Sequence, residues 1–344
     1  MQFVLRRLKW QLLSVAFGFS IFYGTTFFHS RYMFNFEKTN NNQMQNGFVL
    51  VIGILSKLNE FNRRSAIRFT WLKTCKENEA LVYCRFFTDS PENESNNTKL
   101  KIKTEIEKYG DIVFMPFKGG HNFGLRLVWM LNWFSEYSFN YFLRIDDDYF
   151  LCLESLLLEL PSRPKRGLYW GYIHCRDHVV RVDEGWMLLS RDIIDEALSK
   201  LNSTLQCHPF GDQAVAMWIR DSKINITYFM DNDRVIHAAT AYTEDKYMTP
   251  NICQNYLALH GAYPSQMLKY WILSKSINKV RLNINNRISI PPFDTVCKYS
   301  KEFDWRWFYP HVKFEPKPCH TNPVWSITHT EFKGREDIGS EVLY

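Results

Sequence analysis

Three consecutive carboxylates, Asp146, Asp147 and Asp148, stand directly after the apolar run Tyr141 to Ile145 and directly before Tyr149-Phe150-Leu151. Left alone they repel one another. A hard divalent cation relieves that repulsion and can share its ligand shell with a diphosphate. Asp146 and Asp148 have the D-x-D spacing, which lets two acids face one side of an extended turn. Two plainer settings suit the same acids: a solvated turn, or the start of a helix over Leu153 to Leu160, where negative charge is favoured. The eight cysteines contain no C-x-x-C, so a zinc ribbon or thioredoxin-like site is not expected, and their even number allows complete pairing.

The acids gain chemical meaning from the elements around them. Phe48 to Leu55 (FVLVIGIL) is short, continuously apolar and β-branched, and reads as a buried parallel strand. A helix is expected around Asn62 to Thr74, a strand over Ala80 to Thr88 and a polar loop over Ser90 to Thr98. A helix near Leu100 to Tyr109, a strand over Ile112 to Met115 and a helix over Leu125 to Tyr137 follow. The strand Tyr141 to Ile145 then ends at the acids. This alternation predicts an α/β domain with a mostly parallel sheet. Ligands of such sheets sit at the carboxyl ends of the strands, where the triplet falls.

Aromatic residues reach 16%, with 11 Trp and 27 Phe, which suits a folded domain with aromatic-lined clefts and excludes wholesale disorder. The formal net charge is +6, and Arg6, Arg7 and Lys9 account for three of that excess, leaving +3 for the rest. The remaining excess is too small and scattered to point to nucleic acid. Those three cations precede an uncharged run, Trp10 to Phe28, of the length a membrane-crossing helix needs. A cleaved signal peptide is the alternative, but the run is long for one and ends in Thr-Thr-Phe-Phe-His rather than small residues. The expectation is a cytoplasmic tail (1–9), a signal-anchor helix (10–28), a polar stem (29–47) and a lumenal body. Sequons at Asn93, Asn96, Asn202 and Asn225 agree with a secretory compartment.

Several segments resemble one family. Arg63-Arg64-Ser65-Ala66-Ile67-Arg68-Phe69-Thr70-Trp71 is similar to the RR-x-AIR-x-TW signature of the β1,3-galactosyltransferase family (glycosyltransferase family 31). Tyr109-Gly110-Asp111-Ile112 resembles its YGDI, and Asn122-x-x-Leu125-Arg126 stands where its NLTLK stands. FLRIDDDYF is similar to its FLKTDDDVF. Leu168 to Gly171 and Gly185 to Ser190 resemble its YWG and GGYVLS elements, and Tyr256 to His260, with Pro264 and Met267, its vHg-x-x-P-x-x-M. The segments occur in family order across Phe48 to Trp271.

The resemblance implies a GT-A fold, a Golgi type II membrane protein, and inverting transfer of a hexose from a UDP-sugar to a glycan acceptor, forming a β1,3 bond. It implies Mn²⁺ or Mg²⁺ held by Asp146, Asp148 and His260, with Asp148 the foremost ligand and His237 a weaker rival to His260. Arg64 and Arg68, with Asp146 and Asp147, would attend the nucleotide. Asp212, in Phe210-Gly211-Asp212, would be the general base that one-step inversion needs; an Asp at a helix N-cap looks the same. The spacing around Tyr169-Trp170-Gly171 and the stretch Asn255 to Met267 look most like the branch that adds the second galactose of the proteoglycan linker, which implies galactose as the donor sugar. A β1,3-N-acetylglucosaminyltransferase, or a non-catalytic relative acting as a chaperone or lectin-like partner, are the alternatives, and homo- or hetero-oligomers stay open.

The chain departs from the family pattern twice. Gly211 stands where the family has an acid, and the stretch between the YWG and GGYVLS elements, Tyr172 to Glu184, is short, so the acceptor side looks rebuilt. The catalytic domain is expected over 48–275, followed by an extension (276–344) whose aromatic run Phe303 to Tyr309 either packs over the domain or stacks a sugar.

Overall fold

The computed structural model describes residues 47–117, 120–176, 179–237, 247–250, 252–275, 297, 307–309 and 312–325. The expected tail, the anchor Trp10 to Phe28 and nearly all of the stem lie outside the described residues. Among the described residues no helix is long and apolar enough to cross a membrane.

Strands β1 (Phe48–Leu55), β2 (Val82–Asp89), β3 (Ile112–Met115) and β4 (Phe139–Asp146) form the parallel part of the central sheet, with β1 between β2 and β4. Leu50, Val51, Ile52 and Ile54 are completely buried, the continuous apolar run that a strand covered on both faces requires. Past β4 the sheet becomes mixed. The short strand β5 (Tyr149–Leu151) leaves it, and β6 (Leu168–Arg176) and β7 (Val179–Ser190) form a hairpin whose second strand runs antiparallel to β4. With β8 (Gln206–Cys207) elsewhere, β9 (Thr227–Met230) pairs parallel with β6, giving the order β3-β2-β1-β4-β7-β6-β9. The expected mostly parallel sheet is present.

The expected helix over Asn62 to Thr74 is two helices, α1 (Phe61–Phe69) and α2 (Leu72–Glu77). At the break, the Thr70 hydroxyl donates to the Ala66 carbonyl at 2.7 Å, competing with the regular backbone ladder. Helix α3 (Asn96–Tyr109) begins four residues before the expected Leu100, because Ser95 accepts from the Thr98 amide at 3.2 Å and so caps it. It ends on Gly110, whose φ of +62° is the left-handed conformation that favours glycine. Helices α4 (Phe123–Ser135), α5 (Leu153–Glu159), α6 (Arg191–Ser199) and α7 (Gly211–Arg220) follow.

A second, smaller sheet, β10 (Val235–Ile236), β11 (Ala258–His260) and β5, lies at the carboxyl end of β4. Helix α8 (Ile252–Asn255) leads into β11, and α9 (Pro264–Lys275) leaves it. All eight cysteines are paired: Cys75–Cys84, Cys152–Cys253, Cys175–Cys297 and Cys207–Cys319. The last two join the region beyond residue 275 to the sheet region, and β14 (Lys317–Pro318) pairs with β8 beside one of them. Of the expected aromatic run, only the stretch Trp307–Tyr309 is described. It forms β12, paired with β13 (Val312–Lys313).

Candidate active site

Strand β4 ends on Asp146, and the turn Asp147-Asp148 delivers the chain into β5. The Cys152–Cys253 disulfide fixes the far end of β5 to α8, just ahead of β11. Antiparallel pairing then sets His260 opposite Tyr149, with the two rings 4.8 Å apart. The result is a contact between residues 112 positions apart: His260 Nε2 lies 3.4 Å from Asp148 Oδ2. The other ring nitrogen, Nδ1, donates to the His237 carbonyl at 2.6 Å, which turns Nε2 toward the acid.

Burial opposes charge on both groups, yet the pair wins. The charge and hydrogen bond of His260, and then Arg63, hold the Asp148 carboxyl well below the ordinary range. Asp148 in turn pushes His260 up to about 9 against burial. Burial pushes Asp147 up to about 7, despite Arg63, whose Nη1 donates to its Oδ1 at 3.1 Å. Two oxygens of this turn, Asp147 Oδ2 and Asp148 Oδ1, are buried without a hydrogen-bond partner. Asp148 thus offers an unpartnered Oδ1 and an Oδ2 next to the His260 imidazole, oxygen and nitrogen donors of the kind a divalent cation takes, and such an ion would take the place of the shared proton. Asp146 is turned aside: its Oδ1 accepts from Arg144 Nη2 at 2.9 Å.

The arginines divide unexpectedly. Arg63 reaches the acids, while Arg64 and Arg68, the two expected near the nucleotide, are not brought to them. Arg64 is fully buried and makes a two-pronged pair with Glu105, at 2.9 Å from Nε and 2.7 Å from Nη2. It also donates to Ser56 and to the carbonyls of Lys57 and Leu58. Arg68 forks onto Asp111 at 2.9 and 2.7 Å and reaches Glu105 at 2.6 Å. Every strong donor of this pair is used within the fold.

Asp212 lies in the first turn of α7, not at its N-cap, which is Phe210. It is 1% exposed, accepts from Arg181 Nε, and is joined by a carboxylate that sequence reasoning missed. Glu184 Oε2 accepts from the Gly211 amide at 2.7 Å. A Cβ on Gly211 would lie 2.4 Å from that oxygen, so glycine here makes room for Glu184. Burial, then the charge of Asp212, push the Glu184 carboxyl well up. The short stretch Tyr172 to Glu184 is the tip of the β6–β7 hairpin, and it carries both Arg181 and Glu184 to α7.

The same hairpin makes a further cluster. His174 Nε2 and His237 Nδ1 lie 2.8 and 3.3 Å from the two oxygens of Asp183. Together they form the one set of three such side chains, among the described residues, whose ligand atoms all fall within 4.8 Å of one another. Asp146, Asp148 and His260 do not converge in that way. Within the hairpin, His174 pairs with Arg181, so Asp183 lies two residues on along the same face, an alternation visible in the sequence.

Residues 62–184, from the Arg63 helix through the acidic turn to Glu184, match the family model described as Galactosyltransferase. The Arabidopsis thaliana hydroxyproline O-galactosyltransferase GALT2 is 25% identical over 249 residues, covering 65% of this chain and 34% of that protein. The β1,3-galactosyltransferase GALT1 of the same plant is 26% identical, covering 64% and 36%. Mouse β1,3-galactosyltransferase 6 is 28% identical over 137 residues, 38% of this chain and 42% of that one. These similarities support the β1,3-galactosyltransferase family for this chain. Its match spans about a third of the length of the plant relatives. A solved viral-capsid glycosyltransferase shares 12% identity at a TM-score of 0.38, over 65% of this chain and 98% of that one, too low to argue from. The family match contains the acidic turn and Arg63, and ends before Asp212 and His260.

Proposed function

We propose that this protein is an inverting, metal-dependent β1,3-hexosyltransferase of GT-A architecture, moving a sugar from a UDP-sugar to a glycan acceptor on glycoprotein or proteoglycan. The observation that carries this reading is the Asp148–His260 contact, with unpartnered acid oxygens beside it at the carboxyl end of β4. Asp148 and His260 would hold Mn²⁺ (or Mg²⁺), with Asp146 and Asp147 as neighbouring acids. When bound, the ion supplies a charge that stabilises the departing diphosphate. Arg63 adds a fixed cation on the same turn. Arg64 and Arg68 serve the nucleotide site by holding the Arg63 helix in place.

Asp212 accepts the proton of the attacking acceptor hydroxyl. Arg181 orients it, and Glu184 retains its proton beside it, so two neighbouring carboxyl groups take opposite roles. Galactose is the preferred sugar, as in the named activities of GALT1 and GALT2, and the proteoglycan linker is the preferred acceptor. An N-acetylglucosamine donor is the nearest alternative, since a zebrafish lactosylceramide 1,3-N-acetyl-β-D-glucosaminyltransferase is 26% identical over 178 residues. The four disulfides and the exposure of all four sequon asparagines support a lumenal body behind a Golgi signal anchor.

The deep burial of Asp212 favours one rival of a different class, a non-catalytic chaperone or lectin-like relative. The decisive test measures UDP release by the full chain from UDP-galactose and UDP-N-acetylglucosamine with Mn²⁺ and a galactoside acceptor. Turnover with UDP-galactose is expected. Failure to bind any UDP-sugar would overturn the enzymatic reading in favour of that rival.

A further inference from the structure

Beyond the acidic turn, we infer that His174, Asp183 and His237 form a separate site for a transition-metal ion of the zinc class. Their donors come from both strands of the β6–β7 hairpin and from the residue after β10, so the set is assembled only by folding. Tetrahedral zinc with bonds of about 2.0–2.1 Å to nitrogen or carboxylate oxygen keeps its ligand atoms about 3.4 Å apart. His174 Nε2 stands 2.8 Å from Asp183 Oδ2 and His237 Nδ1 3.3 Å from Oδ1, and one donor atom from each residue lies within 4.8 Å of the others. Drawing the set in to that edge needs side-chain shifts on the order of an ångström.

The chemistry of the set selects the ion. Two imidazoles and one carboxylate favour zinc over manganese, whereas an oxygen-rich site suits manganese or magnesium. The Asp183 side chain is only 5% exposed and needs a cationic neighbour. The Gly185 amide satisfies one of its oxygens at 2.8 Å, the kind of outer support that fixes a ligating carboxylate. Gly185 itself is required: a Cβ there would meet Asp183 Oδ1 at 2.9 Å and the Tyr149 ring at 2.8 Å. With three protein ligands, the fourth position is left to water, and the Tyr149 hydroxyl lies 3.4 Å from His237 Nδ1 to receive it. The His174 and His237 rings meet edge to face at 5.1 Å, and Tyr172 packs against both.

A bound ion would clip the hairpin to the segment after β10. It would also steady the His237 carbonyl that orients His260, linking the two sites mechanically without sharing a ligand.

The test loads the full chain, stripped with chelator and dialysed, with ZnCl₂ or CoCl₂. Binding is followed by calorimetry, by metal analysis and by the visible spectrum of cobalt, with circular dichroism as the check of folding. One zinc per chain is expected, not displaced by equimolar MnCl₂. Removing a ligand exceeds an outer-shell loss, so His174→Ala and His237→Ala should weaken zinc by about 100-fold or more. His174→Gln, close to the native side-chain volume, covers the case in which the alanine variant misfolds. Asp148→Asn should leave zinc binding unchanged while altering the manganese site. The inference is overturned if the folded chain takes up no zinc, or if zinc survives His174→Gln and disappears with Asp148→Asn. Both results leave UDP-sugar turnover as a separate question.

Discussion

Two buried charge clusters start from the same helix and end differently. At one, Arg64 and Arg68 meet Glu105 and Asp111, and strong donors and acceptors are matched over distances of 2.6 to 2.9 Å. At the other, Arg63 meets Asp147 and Asp148 at 3.1 and 3.7 Å, and two carboxylate oxygens are left over. The first cluster is closed in that every guanidinium nitrogen of Arg64 and Arg68 already makes a hydrogen bond within the fold. The second is open: Arg63 Nε, Asp147 Oδ2 and Asp148 Oδ1 are all without a hydrogen-bond partner, and Asp148 also lies against an imidazole. Buried charges are tolerated when they are paired, and an incompletely paired cluster persists where a ligand completes it. One motif, Arg63 to Arg68, therefore divides, with Arg63 turned to the acidic turn and Arg64 and Arg68 paired with Glu105 and Asp111.

This contrast breaks most visibly at Asp148. If the acidic turn holds the ion proposed above, which would supply several kcal/mol of charge stabilisation, Asp148→Ala should abolish turnover together with Mn²⁺-dependent UDP binding, read by titration calorimetry. An unchanged UDP titration would mean that the open cluster is not a ligand site. Asp212→Asn comes next. It should retain UDP binding while kcat falls by about 10²–10⁴-fold, the span of a lost general base; full activity would remove Asp212 from the chemistry.

At the closed cluster the effect belongs to folding. Arg64→Met leaves Glu105 and its neighbours with a buried, underpaired charge and should cost about 3–5 kcal/mol, measured by denaturant unfolding, with the donor KM of the folded protein preserved. A change of KM without loss of stability would return Arg64 to the nucleotide.

The smallest effect is a pH dependence. Burial raises the Glu105 carboxyl, but Arg64 and then Arg68 outweigh it and hold the folded value below the ordinary one. A depressed folded value contributes stability that is complete above the unfolded pKa and is lost as pH falls toward the folded one. Glu105→Gln should therefore flatten the acid limb of the stability profile below about pH 4.3, the unperturbed glutamate value. Equal acid slopes in both proteins would show that this pair contributes nothing.

Much of this was legible beforehand because it is local. The run FVLVIGIL, the strand Ile112–Met115 and the carboxylates following β4 all declare themselves through composition and period. The helix break at Thr70 and the early start at Ser95 were missed, because each depends on a single hydroxyl choosing a backbone partner. Glu184 was missed for a different reason: its role depends on a partner, the Gly211 amide, that lies 27 residues away.

The sequence by itself determined the alternation of strands and helices, the acids at the end of a strand and the ordered segments that resemble one family, since these rest on neighbours along the chain. Only the tertiary structure decided which of the three arginines of α1 meets the acids, how Asp183 gathers two histidines, and that Glu184 fills the space glycine leaves. Those outcomes depend on which side chains remain unpaired after the sheet closes, and pairing between distant residues is set by packing rather than by local preference.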